Sequence, residues 1–521
     1  MERSTPDLHG SGTTVSSWMP DVDVPRFPAL AADAECDVCV VGAGIAGLTT
    51  AYLLAKAGRR VIVLEDGPAI ADGESARTTG HVATANDDYY SNIESKLGAH
   101  VARLVAESYV AAVDRMEAIV RAEGMDASTF ERVDGYYFLG RGDTAKTLDD
   151  ELHASHRAGI GDTERVERIP GAPFESGPAL RFPRQGQVHI LKYLSGLARA
   201  IVRDGGQICC STPATELTDG TPCRVQVRQG YTVTAHDLVV ATNTPVNDRF
   251  EMHTKQAPYR TYVIAARVKR GTVPPALYWD TEDPYHYARL KQGRDDSDRQ
   301  SDLLIVGGED HKTGQADDMD ERFRRLEAWT RERFPIEGIE QRWSGQVQEP
   351  GDYLHYIGLN PVDKHIYIVT GDSGNGMTSG TIAGILLTEL IVRGDHPWAK
   401  VYDPARKPIH SLSTVTEFVK ENVNVAAQYL DWVAPSDAKS AADVAPGEGA
   451  VMRRGAKPVA VYKGADGTVV ERSAICPHLG CVVHWNTLEK SWDCPCHGSR
   501  FTTTGEVITG PSRAPLAAVE G

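Results

Sequence analysis

Four cysteines and two histidines crowd into two short segments, residues 476–481 (CPHLGC) and 494–499 (CPCHGS). Cys476 and His478 form Cys-x-His, Cys494 and His497 form Cys-x-x-His, and fifteen residues separate the two pairs. Two thiolates with two imidazoles suit a tetrahedral zinc ion. A ligand pair with one residue between its members is unusual for a zinc finger, however, and each pair opens on Cys and closes on His. That order suits two hairpin loops gripping a two-iron cluster, with both thiolates on one iron and both imidazoles on the other.

A second constellation lies near the front of the chain. Gly42, Gly44 and Gly47 spell G-x-G-x-x-G after a strand-like run (residues 37–44, DVCVVGAG) and at the opening of a helical pattern (residues 45–58). The first glycine makes the tight turn, the second lets backbone approach a pyrophosphate, and the third lets helix and strand pack closely. The helix then turns its positive end to the phosphates. Glu65 ends the next strand-like run, RVIVLE, where a carboxylate can accept hydrogen bonds from ribose hydroxyls. The whole predicts a dinucleotide, without choosing between FAD and NAD. Two later segments favour a flavin: DLVVATNTP (residues 237–245), and GDSGNGMTSG (residues 371–380), a second glycine loop that opens a helix able to face the negative charge of a reduced flavin ring.

The elements that must hold these groups divide the chain into an N-terminal arm (1–34), a large body (35–432), a small polar Pro/Gly-rich linker (433–446) and a short strand-rich tail (447–521). The spacing predicts helices over residues 91–123, from 189 to the glycine pair at 205–206, and over 412–432. A helix over 318–334 carries five arginines, read as a solvated face. A chain of 521 residues fits two or three domains. The net charge of -16 argues against a nucleic-acid partner. No run is expected to reach the roughly 20 apolar residues of a membrane span, and residues 1–20 lack an apolar signal core, so a cytoplasmic protein is expected. Cys36, Cys39, Cys209, Cys210 and Cys223 lie in or beside apolar segments and are read as small buried residues.

Over residues 37–394 the chain resembles the D-amino-acid oxidase-like FAD oxidoreductases, which include glycine and sarcosine oxidases. The segments that carry this are VVGAGIAGLTTAYLLAKAG, GESARTTGHVATA, GGQICCSTPATEL, VVATNTP and GDSGNGMTSGTIAG. The resemblance implies an α/β, doubly wound Rossmann-like FAD domain interleaved with an antiparallel-sheet substrate domain. It places FAD across Gly42, Gly44, Gly47 and Glu65. Ser75, Arg77, Thr78, Thr79 and His81 would approach the pyrophosphate and flavin, Ala214 the adenine, and Thr242 the turn after its strand. Gly374, Asn375, Gly376, Met377 and Thr378 would meet the isoalloxazine. In some relatives a histidine in the segment of His81 is bonded to the flavin. A covalent link, a non-covalent contact and a structural role all stay open for it. Tyr287 and Arg289, with Arg260, lie in segments expected to line the substrate domain, where an arginine could clamp a carboxylate.

Residues 447–521 resemble Rieske proteins, which implies a small all-β domain with Cys476, His478, Cys494 and His497 on a [2Fe-2S] cluster. The resemblance further implies a disulfide between Cys481 and Cys496. Ser499 matches a hydroxyl donor of the high-potential relatives, while Phe501 stands where they have a tyrosine. The missing donor predicts a potential below the top of the Rieske range, roughly -150 to +300 mV. The two resemblances together imply an enzyme that oxidises a C–N bond of a small amine or amino acid. Electrons would pass from FAD to the cluster and on to an acceptor, a redox protein, quinone or O₂. The alternatives are an NAD(P)H-dependent reductase feeding the cluster and a non-catalytic redox sensor.

Overall fold

In the strand Ala34–Val41, residues 38–41 are buried on both faces. The computed structural model, which describes residues 10–247, 252–293, 301–407 and 424–519, pairs this strand in parallel with Thr232–Val240 on one side and Val61–Leu64 on the other. Ile366–Thr370 and Gln207–Cys209 extend the sheet, also in parallel, and Tyr356–Leu359 closes one edge antiparallel. Continuous Val, Ile and Leu runs are what a parallel sheet covered on both faces requires. Cys36, Cys39, Cys209, Cys210 and Cys223 are buried free thiols in this region, as their apolar surroundings suggest.

The two helices opened by glycine loops, Ile45–Lys56 and Gly376–Arg393, lie side by side. A Cβ at Gly380 would come 2.7 Å from Ile45 Cγ2, so glycine is what permits the approach. Contrary to the expectation that no segment would qualify, residues 373–393 are long and apolar enough to cross a bilayer. Their helix packs against Ile45–Lys56 and Ala99–Ala122, and this burial accounts for its composition. The helix expected over residues 91–123 is broken at Gly98 (φ 88°) into Tyr90–Leu97 and Ala99–Ala122. Of the helix expected over 412–432, residues 412–423 lie outside the described residues, residues 424–427 are helical, and Gln428–Trp432 forms a 3-10 turn.

A nine-stranded sheet stands beside the parallel one. Its path runs from Ile336–Pro350 through Gln256–Lys269, Ser301–Lys312, His286–Lys291, Ala276–Asp280, Phe130–Phe138 and Ala179–Val188 to His81–Val82. All pairs on that path are antiparallel except Ala276–Asp280 with Phe130–Phe138, so the sheet is mixed. The helix Met319–Arg333 packs on it through Phe323, Leu326 and Trp329. Two of its five arginines are not solvated: Arg322 donates to the carbonyls of Glu309 and Asp310, and Arg333 lies 4.5 Å over the Trp329 ring.

The tail folds into a three-stranded sheet (Glu448–Arg454, Lys457–Lys463, Val469–Ser473) and a four-stranded one (His484–Asn486, Ser491–Asp493, Arg500–Phe501, Val507–Thr509). Cys481 and Cys496 are joined in a disulfide. Part of the segment read as a linker lies against the first of these strands, where the Asp437 amide donates to the Val451 carbonyl. The N-terminal arm is no free extension either. Ser11, Ser16, Ser17 and Trp18 are buried. Trp18 Nε1 donates to Thr78 O on the body, while Thr13 Oγ1 donates to Leu488 O on the tail. Residues 10–18 therefore form a strap between the two.

Candidate active site and candidate metal centre

The turn after Ala34–Val41 opens into a cavity of about 550 Å³. Gly42 takes φ 106°, and a Cβ there would come 2.5 Å from the Ala241 carbonyl. A Cβ at Gly47 would collide with the Gly42 carbonyl, and one at Gly44 would come 2.9 Å from Ser75 Oγ. The turn, the open approach and the close packing thus fall on the three glycines in the order the motif requires. Ser75 Oγ accepts from the Ile45 amide at 3.0 Å. Glu65 lines the cavity and accepts from the amides of Ala43 (2.7 Å) and Gly67 (3.0 Å). Burial, opposed by these bonds, pushes its pKa up to about 7. Ser75, Arg77, Thr78, Thr79, Ala214, Thr242, Gly374, Gly376 and Met377 also line the cavity. A glycine-walled cleft with a carboxyl and a helix N-terminus in its wall fits FAD.

Beside Gly374 the cavity becomes acidic. Tyr285, Tyr287, Asp310, Asp372 and Ser373 line it there. Burial pushes the Asp310 and Asp372 pKa values up to about 7. Tyr285 OH donates to Asp87 Oδ2 at 3.0 Å, and burial raises Asp87 to about 6. Behind them, burial followed by the Asp87 charge raises Asp88 to about 8. Burial also raises Glu349, which accepts from Ser373 Oγ at 2.8 Å. Tyr285 and Tyr287 stand 5.4 Å apart, centroid to centroid. The lysine count of the lining, among the described residues, is zero, and its arginines are Arg77, Arg228 and Arg513. Arg77 donates to Glu489, Ser344 O, Gly12 O and Thr14 O. Arg228 and Arg513 line the same cavity as Pro213, Ala214 and Thr215, the stretch that would hold the adenine.

The residues named for chemistry from the sequence take different places. Tyr287 lines the cavity, its hydroxyl 3.1 Å from Thr261 Oγ1. His81 lies behind the lining, with Nδ1 2.9 Å from Thr79 Oγ1 and Nε2 3.3 Å from Ala288 O. Burial holds it neutral, its pKa lowered to about 3. Arg289 donates to Gly80 O (2.8 Å) and Val188 O (3.0 Å), bracing the backbone beside His81. Arg260 is buried against Ser344 and Glu489. Asn375 meets Asp87 behind the lining, and Thr378 Oγ1 donates to Ala83 O. Sequence reasoning missed Tyr285, Asp310 and Gln346. Tyr285 was within reach, two residues before Tyr287 and immediately ahead of the strand that carries it. No local pattern marks the other two.

At the tail, Cys476, His478, Cys494 and His497 are all buried, with the two imidazole centroids 5.0 Å apart. The disulfide takes Cys481 and Cys496, leaving two thiols for the two imidazoles. His497 Nδ1 is buried with no hydrogen-bond partner, which fits an imidazole nitrogen that ligates a metal. Ser499 Oγ and the amides of His478 and Leu479 reach Cys476, and the amides of Cys496 and His497 reach Cys494. Such donors suit sulfur bound to iron. The histidine edge faces the body, where His253 sits 5.0 Å from His478 and 6.2 Å from His497. Gln346, which lines the large cavity, donates through Nε2 to Gly498 O at 3.1 Å, next to His497.

Residues 37–390 match the FAD dependent oxidoreductase family model, and residues 435–520 match the Rieske [2Fe-2S] domain. A putative Rieske 2Fe-2S iron-sulfur protein, YhfW of Bacillus subtilis (strain 168), is 30% identical over 96% of this chain and 97% of its own. Gamma-glutamylputrescine oxidoreductase of Escherichia coli (strain K12) is 28% identical over 71% of this chain and 86% of its own. Among solved structures, glycine oxidase from Geobacillus kaustophilus superposes with a TM-score of 0.58 at 18% identity, covering 72% of this chain and 99% of that one.

Proposed function

From the premise that the chain belongs to the FAD dependent oxidoreductase family and carries a Rieske [2Fe-2S] domain, we propose that it oxidises a C–N bond of a small cationic amine and delivers the electrons through its cluster to an outside acceptor. FAD supplies the two-electron hydride chemistry and the cluster carries electrons singly. The observation that carries the substrate class is the acidic end of the cavity. Asp310 and Asp372, with Asp87, Asp88 and Glu349 behind, face a lining without lysine among the described residues, and the cations whose charge reaches them are engaged elsewhere, Lys96 with the Tyr353 hydroxyl and Arg322 with the Glu309 and Asp310 carbonyls. An amino-acid carboxylate would find repulsion in place of a clamp, because Arg260 and Arg289 are both engaged in other contacts. An ammonium group would find carboxylates and two tyrosine faces. A carboxyl with a pKa near 7 also suits removal of the ammonium proton, which frees the nitrogen lone pair. The similarity to an oxidoreductase named for a putrescine derivative supports the same class. Gln346, with one end in the cavity wall and the other on the loop of His497, supports the wiring.

Anaerobic titration of the holoenzyme tests both parts. Cationic amines should bleach the flavin band and then the cluster band, while the corresponding amino acids act far more slowly. Faster reduction by amino acids would overturn the substrate class, and a bleached flavin beside an oxidised cluster would overturn the wiring. Rapid bleaching by NADH would support the reductase alternative.

Binding of a cation should also follow pH. Asp310 and Asp372 have raised pKa values of about 7, so both are largely protonated at pH 6 and largely anionic at pH 8. The affinity of a quaternary ammonium inhibitor, which has no titration of its own, should therefore rise with pH over that interval, by up to about tenfold per carboxyl. Asp310→Asn should flatten much of the rise, measured as Ki against pH.

A further inference from the structure

The cavity that fits FAD is not walled by the body alone. Thr502, Val507, Ile508, Thr509, Gly510 and Arg513, all from the Rieske domain, line it together with the Gly42 turn and residues 212–215. We propose that this hairpin is part of the FAD site, with Arg513 as a binding residue for the adenosine diphosphate half of the cofactor. Three observations support it. Arg513 reaches across the domain boundary, its Nη2 donating to Thr215 O at 2.5 Å, next to Ala214. Arg228 also lines the cavity, so two guanidiniums stand beside residues 213–215 at the adenosine end, where they can donate to the adenylate across from Glu65 and Asp66. The hairpin is also held in place by the cluster loop. A Cβ at Gly510 would come 2.8 Å from Ser499 N, and the Ser512 amide donates to Ser499 Oγ at 3.0 Å. Ser499 Oγ itself reaches Cys476. One serine thus joins a cluster ligand to the cofactor wall, and an iron-sulfur domain doubles as a lid on a dinucleotide.

The test uses the full chain with its cluster in place, stripped of flavin and titrated with FAD or with FMN, which lacks the adenylate. Arg513→Ala should weaken FAD about tenfold, the scale of one charge-assisted contact, and leave FMN unchanged. Arg513→Lys should recover part of the loss. An unaltered EPR spectrum of the reduced cluster checks that the domain is folded. Unchanged FAD affinity in such a protein would overturn the proposal, as would an equal loss for FMN. Hydrogen exchange on the unsubstituted protein gives a second measurement should the variant fail to fold. FAD, and not FMN, should protect the amides of residues 507–513, and equal exchange with and without FAD would overturn the proposal. Neither readout involves an amine, so these results stand apart from the substrate assignment.

Discussion

Glu489→Ala should lower the unfolding free energy by about 3–5 kcal/mol, because it leaves buried guanidiniums without their counter-charge. Glu489 comes from the tail, yet its carboxylate lies 3.1 Å from Arg77 of the FAD segment and 3.8 Å from Arg260 of the mixed sheet, and all three side chains are almost wholly buried. It also accepts from Thr14 of the strap and from Ser344. Burial alone would raise its pKa, but the charges of Arg77, Arg260 and Arg500 outweigh burial and hold it at about 2. A depressed carboxyl pKa stabilises the fold above the ordinary glutamate value, and that contribution is lost as pH falls toward 2. Denaturant titration of wild type and variant at neutral pH measures the loss. Because the network joins strap, body and tail, a single cooperative transition should also split in two, the Rieske domain melting first. A variant that unfolds in one transition, within about 1 kcal/mol of wild type, would show that the seam is held by something else.

That network marks where sequence reasoning stopped. The parallel strands were legible because a sheet covered on both faces needs unbroken runs such as CVV and VIVL, and the glycine turn because its three constraints are local. The cluster ligands were legible for the same reason: each pair sits in one loop. Residues 10–18 misled because serine and threonine usually signal exposure. Here Ser11, Ser16 and Thr14 supply hydrogen bonds to a polar seam, with partners such as Glu489 and Arg500 more than 470 residues away. Arg260 and Arg289 show the same limit. Nothing local separates an arginine aimed at a substrate from one that braces backbone, and Arg289 does the latter at Gly80 and Val188. Asp310 carries no motif, and its meaning comes from the other carboxyls that three separate segments bring around it.

Gly44→Val should weaken FAD by about 100-fold, the equivalent of roughly 3 kcal/mol of overpacking. The new Cβ would arrive 2.9 Å from Ser75 Oγ, which cannot retreat without giving up the Ile45 amide, and it would fill the approach the dinucleotide needs. Gly44→Ala, with one methyl group, should cost about tenfold. The flavin-free variant then isolates the wiring. Its cluster ligands lie in loops that the substitution does not touch, so the Rieske EPR signal should persist and dithionite should still reduce the cluster. An amine should not, at any concentration, because the acidic end of the cavity can bind a cation but cannot remove electrons from it. Cluster reduction by amine in FAD-free protein would mean that the iron centre meets substrate directly. The placement of Gln346 between the cavity and His497 would then be scaffolding only.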